Sequence, residues 1–174
     1  PTYTVLGGGR GSGCRDGFPV SVLLLNRGPM LYRAEMIQQL VRVGFESIVS
    51  MELIGDSPEL EGLASRYPQV RFICLHEAAN LGVRVNIGMR ESCSPFVFVL
   101  WNDQRLATST LSSRFFDKVV DLDAACLVPT LNDATGSPVP SISHPAQSGK
   151  AFRVVPLPPK ADGEKSLYPF DACG

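Results

Sequence analysis

Four short apolar runs, separated by stretches with a helical pattern, constrain this chain more than any other feature of its sequence. The runs are VSVLLLN (20–26), FESIVSMEL (45–53), QVRFICLH (69–76) and FVFVLW (96–101). Each has the length of a strand, and the near-continuous first and last suit central strands covered on both faces. NRGP breaks the first run, and Pro29 suits the first position of a helix. Ala34, Ile37, Leu40 and Val41 then recur at helical spacing, with Arg33, Glu35, Gln38, Gln39 and Arg42 expected on the wet face. Gly44 is expected to end that helix. GDSP opens a short helix over 58–66, with Asp56 or Ser57 as cap and Pro58 first. VRVNIGMRES predicts another helix over 83–92, weakened by Gly88. A helix near 109–119 and a strand near 123–128 follow. Strands and helices thus alternate on short links. This predicts an α/β fold with a mostly parallel central sheet and helices on both faces. In such sheets ligands bind outside the carboxyl ends of the strands.

The 174 residues suffice for one domain with a substantial core. Hydrophobic residues make up 44%, charged residues 19%, and the net charge is −1. That composition argues against disorder and offers no electrostatic attraction for nucleic acid or an anionic membrane. No apolar run approaches the roughly 20 residues that span a bilayer, and no signal-peptide pattern opens the chain, which begins at Pro1. The five cysteines are odd in number and form no C-x-x-C pair, so neither a disulfide framework nor a zinc knuckle is expected. Cys74 falls in an apolar run and is expected in the core. A reducing, cytoplasmic setting fits this usage.

Residues 1–19 read as a Gly-rich lead-in, and 20–174 as a single α/β domain. An irregular Pro- and Gly-rich excursion over 129–166 has room for two short strands. Within the lead-in, TVLGGGRGSGCRDG carries glycines at 7, 8, 9, 11 and 13. Such glycines can let backbone N–H groups approach a phosphate. A Walker loop needs a lysine, absent here, and a dinucleotide fingerprint needs a following helix, where a strand is expected. The segment is similar to the LAGGxGTR loop of sugar nucleotidyltransferases, which implies Arg10 as a contact for a nucleoside triphosphate. The plainer reading is a lead-in loop.

A second constellation covers about residues 18–130. VSVLLLNRGP, FESIVSMELIGDSP, NLGVRVNIG and SPFVFVLWNDQRL occur in that order, with SLYPFDACG near the end. Together they resemble the family 2 glycosyltransferases of the nucleotide-diphospho-sugar transferase (GT-A) fold. In that family the corresponding stretches read like VSVIIPTYN, an acidic residue before DGSTD, NxGLxxARNxG, YVLFLDDDD and aCgl. The resemblance implies a nucleotide diphosphate sugar as donor and transfer of its sugar to an acceptor hydroxyl. It implies Leu25, Asn26 and Glu52 around the nucleoside, where a carboxylate can accept from a base N–H or a ribose hydroxyl. It implies Arg84, with Asn86 nearby, beside the diphosphate. The family's Asp-x-Asp motif falls on Trp101, Asn102 and Asp103, leaving Asp103 as the single carboxylate for Mg or Mn, with Asn102 beside it. The plainer readings are a strand-end carboxylate at Glu52, a surface arginine at Arg84 and a strand-end Asp103 without ligand. The family's catalytic base follows the aCgl strand. The sequence stops at Gly174 within that stretch, and Asp171 matches the strand before the base. Two alternatives stay open: a binding or scaffolding module of the same fold without catalysis, and a sugar nucleotidyltransferase using the Gly-rich loop.

Overall fold

The structure, a computed structural model, describes residues 1–8, 18–27, 30–52, 58–106, 117, 121, 131–139, 143–148 and 151–156. The chain divides into two compact units, Pro1–Leu122 and Asp123–Gly174.

The first unit contains β1 (Tyr3–Leu6), β2 (Phe18–Leu25), α1 (Met30–Val43), β3 (Phe45–Glu52), α2 (Pro58–Arg66), β4 (Val70–Leu75), α3 (Leu81–Glu91) and β5 (Phe96–Trp101). The sheet order is β1-β4-β3-β2-β5. Strands β4, β3, β2 and β5 are parallel, while β1 runs antiparallel on the edge beside β4. This is the expected α/β class with a mostly parallel sheet.

The apolar runs are near-continuous because both faces of the sheet are covered. Successive side chains of a strand point to opposite faces. Val20, Val22 and Leu24 of β2 therefore share a core with Met36, Ile37 and Leu40 of α1 and with Leu60 and Leu63 of α2. Their neighbours Leu23 and Leu25 pack on the other side with Val49, Met51, Ile73 and Ile87, the last from α3. Gly44 follows α1 at φ 83°, a backbone shape that favours glycine, and ends the helix as expected. Pro29, Asp56 and Ser57 lie outside the described residues, as do nearly all of 109–119 and all of 123–128.

Helix α3 departs from the sequence expectation in two ways. It begins at Leu81 because the Asn80 side chain accepts from the Val83 N–H at 2.9 Å, satisfying one of the open donors of the first turn. It also runs straight through Gly88. A methyl group there would lie 2.3 Å from Leu23 Cδ1, so glycine is what lets α3 sit this close to β2.

Strand β1 lies inside the stretch read as a lead-in. Tyr3 pairs with Leu75 and Leu6 with Phe72. The Tyr3 hydroxyl donates to Glu91 Oε1 at 2.8 Å, and the Arg71 guanidinium pairs with the same carboxylate and donates to the Gly8 carbonyl. These bonds tie β1 and β4 to the end of α3.

In the second unit, the described residues of the stretch expected to be irregular with two short strands form four. β6 (Leu131–Asn132) pairs with β7 (Pro138–Val139), and β8 (Ser143–Ser148) with β9 (Ala151–Pro156), both antiparallel. Pro145 is tolerated within β8 because each strand of a two-stranded sheet is an edge. The β6–β7 turn closes on Asp133, whose Oδ1 accepts from the Thr135 hydroxyl at 2.6 Å and from the Thr135 and Ser137 N–H groups at 2.8 and 3.0 Å. These bonds, the Thr135 hydroxyl foremost, hold its carboxyl below the usual range. No helix among the described residues is long and apolar enough to cross a membrane.

Candidate functional site

The chain builds β2, β3 and β4 successively in one direction, then returns to place β5 on the far side of β2. The strand order therefore reverses between β2 and β5, and the carboxyl ends of two adjacent parallel strands at such a reversal are the usual position of a ligand crevice. Leu25 and Trp101 are the last paired residues there. Asn102 joins the two strand ends: its N–H donates to the Leu25 carbonyl at 3.1 Å, and its Oδ1 accepts from the Arg27 N–H at 2.9 Å.

A buried polar network lies beside this junction. Asn26 Nδ2 donates to Ser50 Oγ at 2.8 Å, to the Met51 carbonyl at 3.0 Å and to Glu52 Oε1 at 2.9 Å. The Ser50 hydroxyl donates to the same Glu52 oxygen at 2.7 Å. The other Glu52 oxygen meets the Arg33 guanidinium at 2.7 Å. Arg33, expected on the wet face of α1, is thus buried. It stands one turn before Ile37 on the inner side of the helix, and the first turns of α1 begin where β2 ends, at the rim of the sheet. Burial raises the Glu52 carboxyl above its usual range, against the opposing pull of Arg33, the Ser50 hydroxyl and Arg84. Glu52 is therefore a buried, fully engaged carboxylate.

Arg84 reaches the same network from α3, on the opposite face of the sheet. Its Nη2 donates to the Asn26 carbonyl at 3.3 Å, and burial lowers its pKa, against the opposing pull of Glu52. Asn86 on the same helix is exposed. The Leu25 side chain belongs to the core, so only its backbone faces the junction. Among the described residues, Asn26 Oδ1, Arg84 Nε and Asn102 Nδ2 are buried and have no hydrogen-bond partner. Unmatched buried polar atoms are uncommon, and these three meet at the junction, while Gln39 on α1 and Arg71 on β4 carry others away from it.

Asp103 lies just outside. Its Oδ2 accepts from both Arg27 Nε and Arg27 Nη2, each at 2.8 Å. The Arg27 guanidinium also lies over the Trp101 ring, 4.6 Å from its centre, and the Arg84 guanidinium lies 5.9 Å from the same ring. A cleft of about 290 Å³ opens between α1 and the segment after β5, lined by Tyr32, Glu35, Gln39, Asn102, Asp103 and Arg105 among others.

This donor set does not suit the divalent cation that the resemblance implies. Mg and Mn prefer several oxygen ligands. Asp103 supplies one carboxylate, and a guanidinium already occupies one of its oxygens. The Asn102 oxygen is taken by a backbone N–H, and the Glu52 carboxylate is enclosed by Arg33, Ser50 and Asn26. Among the described residues, no three His, Cys, Asp or Glu side chains gather as a metal site.

Asn26, Glu52, Arg84, Asn102 and Asp103 thus collect at one end of the sheet, together with Arg27, Arg33 and Trp101, which sequence reasoning did not assign. Arg27 had a signal: it stands two residues past the apolar end of its strand, Leu25, as Asp103 stands two past Trp101. The described start of the Gly-rich segment lies elsewhere. The Gly8 N–H donates to the Pro68 carbonyl at 2.9 Å, and a methyl on Gly7 would meet the Val70 carbonyl oxygen at 2.6 Å. Both contacts are at the amino end of β4, across the sheet from the junction. Gly9, Arg10, Gly11 and Gly13 lie outside the described residues. Cys74 is buried in the core, and Cys93 is exposed. No family model, no curated protein and no solved structure matches this chain.

Proposed function

We propose that the first unit is a nucleotide-binding α/β domain whose ligand is a nucleotide diphosphate sugar. The observation that carries this reading is the convergence of Asn26, Arg27, Arg84 and Asn102 on the β2–β5 junction, where the strand order reverses. Asn side chains offer both donor and acceptor to base edges and sugar hydroxyls, and guanidinium groups match phosphate oxygens in charge and geometry. The resemblance to family 2 glycosyltransferases, carried by the order of five sequence elements, points to the same ligand class. Glu52 acts from behind in this reading: it holds Asn26 and Arg33 in place and does not itself touch the nucleoside. In an active enzyme, the bound sugar would pass from the diphosphate to an acceptor hydroxyl.

A specific observation favours a second reading, a module that binds without transferring. Trp101 stands where the resemblance puts a metal-binding carboxylate, and the one carboxylate left in that motif, Asp103, is engaged by Arg27. Calorimetric titration with UDP-, GDP-, CDP- and dTDP-sugars tests the binding claim. Saturable one-to-one binding, competed by the matching nucleoside diphosphate, is the expected result. Absence of binding across the panel would overturn it. Slow release of free nucleoside diphosphate from bound donor would favour the transferase over the binding module.

A further inference from the structure

We propose that the Arg27 guanidinium, and not a divalent cation, supplies the positive charge that meets the ligand's diphosphate at the β2–β5 junction. The inference rests on the nucleotide-sugar reading for the identity of the ligand, but its physical basis is separate. Arg27 is held on three sides. Its backbone N–H is fixed by Asn102 Oδ1 at 2.9 Å. Its Nε and Nη2 share Asp103 Oδ2 at 2.8 Å, and its guanidinium plane lies over Trp101 at 4.6 Å. Yet the side chain remains 56% exposed, and its Nη1 makes no hydrogen bond to a described residue. An arginine fixed in this way loses little further freedom on meeting an anion, and the open edge of its fork suits two phosphate oxygens.

The surroundings fit an anion better than a cation. Arg84 brings a second guanidinium to within 5.9 Å of the Trp101 ring centre, with a buried Nε that has no hydrogen-bond partner among the described residues. The Glu52 charge is matched by Arg33. A divalent cation seated on Asp103 would have to displace Arg27 or face its positive charge at close range. Trp101, unable to ligate a metal, serves instead as the surface on which the cation rests. In this arrangement Asp103 is a positioning residue. It aims Arg27, and its own negative charge weakens the anion it helps to orient.

The test is calorimetric binding of inorganic pyrophosphate and of UDP, GDP, CDP and dTDP, in EDTA and in manganese, to the wild type, Arg27→Ala and Asp103→Asn. Both substitutions fall on exposed side chains, and thermal denaturation checks that each variant is folded. Binding in EDTA is expected, within about threefold of that in manganese. Arg27→Ala should weaken it by about tenfold or more, the usual effect of losing hydrogen bonds from a charged group. Asp103→Asn, which keeps an acceptor for Arg27 and removes the opposing charge, should bind at least as tightly as the wild type. Binding that requires manganese and disappears in Asp103→Asn would overturn the proposal, as would an Arg27→Ala variant that binds normally, or no binding of any probe in EDTA. Arg27-dependent binding of pyrophosphate with no added affinity for any nucleoside diphosphate would sustain the anion site while overturning the nucleotide-sugar reading. Manganese-dependent nucleotide binding would do the reverse.

Discussion

Gly88→Ala separates two opposing physical effects by the sign of a single measurement. Gly88 lies inside α3, where alanine is favoured over glycine by about 1 kcal/mol on helix propensity alone. The added methyl, however, would stand 2.3 and 2.6 Å from Leu23 Cδ1 and Cδ2 and 3.0 Å from Cγ. Carbon atoms pack comfortably at roughly 3.5–4.0 Å, so more than about 1 Å of relief is needed. Leu23 is fully buried in the middle of β2, among Leu25, Val49 and Ile87, and cannot swing aside without disturbing them. Relief must come from α3 moving off the sheet or from a strained Leu23 rotamer. Overpacking of this kind costs about 1–3 kcal/mol, and a three-atom clash belongs at the upper end. The net expectation is a loss of about 2 kcal/mol, read as a lower urea midpoint at unchanged slope. Arg84 stands one turn earlier on the same helix, so displacement should also lengthen its bond to the Asn26 carbonyl. Adding Leu23→Ala should recover part of the Gly88→Ala loss, which makes the pair non-additive. A Gly88→Ala protein stabilised by about 1 kcal/mol would refute the close-packing account and leave only propensity.

Three further predictions test the network and the cap. Glu52→Ala breaks the buried ion pair with Arg33 and removes the acceptor shared by Asn26 and Ser50, so unfolding in urea should register a loss of about 3–5 kcal/mol. Because burial raises the Glu52 carboxyl above its usual 4.5, the folded state holds that proton more tightly than the unfolded chain. That contribution is full below the usual value and is lost as pH rises through the raised one. Wild-type stability minus that of Glu52→Gln should therefore decline as pH rises above the usual 4.5, and a difference that grows would contradict the burial of Glu52. Asn80→Ala frees the Val83 N–H, and thermal unfolding should show a loss of about 1 kcal/mol.

What was legible in the sequence was what periodicity encodes. The apolar runs of β2 to β5 and the stripe of α1 follow directly from burial on two faces and on one. Strand β1 was not legible. Four residues before a run of glycines give no pattern, and the partner β4 lies some seventy residues further along the chain. Gly88 was misleading because propensity sees only the helix, whereas the reason for glycine stands on β2. Arg33 was misleading for a related reason. A helical pattern assigns charges to water, and only the carboxylate at the end of a neighbouring strand makes the inner position tolerable. The cluster of Asn26, Glu52, Asn102 and Asp103 was legible as a set of strand ends. The arginines that engage both carboxylates were not, because ion pairs between elements leave no trace in spacing. The hairpins β6–β7 and β8–β9 were hidden by their prolines, which argue against central strands but not against edges.

The chain has a single tryptophan, Trp101, and it lies at the β2–β5 junction beneath Arg27. Its fluorescence therefore reports on the proposed site without any label. Titration with nucleotide diphosphate sugars should give a saturable change in Trp101 emission for at least one nucleoside, as the ligand's phosphates draw the Arg27 guanidinium and alter the field over the ring. Emission that stays flat for every donor up to about 1 mM, the weakest range of specific binding, would contradict a nucleotide-sugar site at this junction.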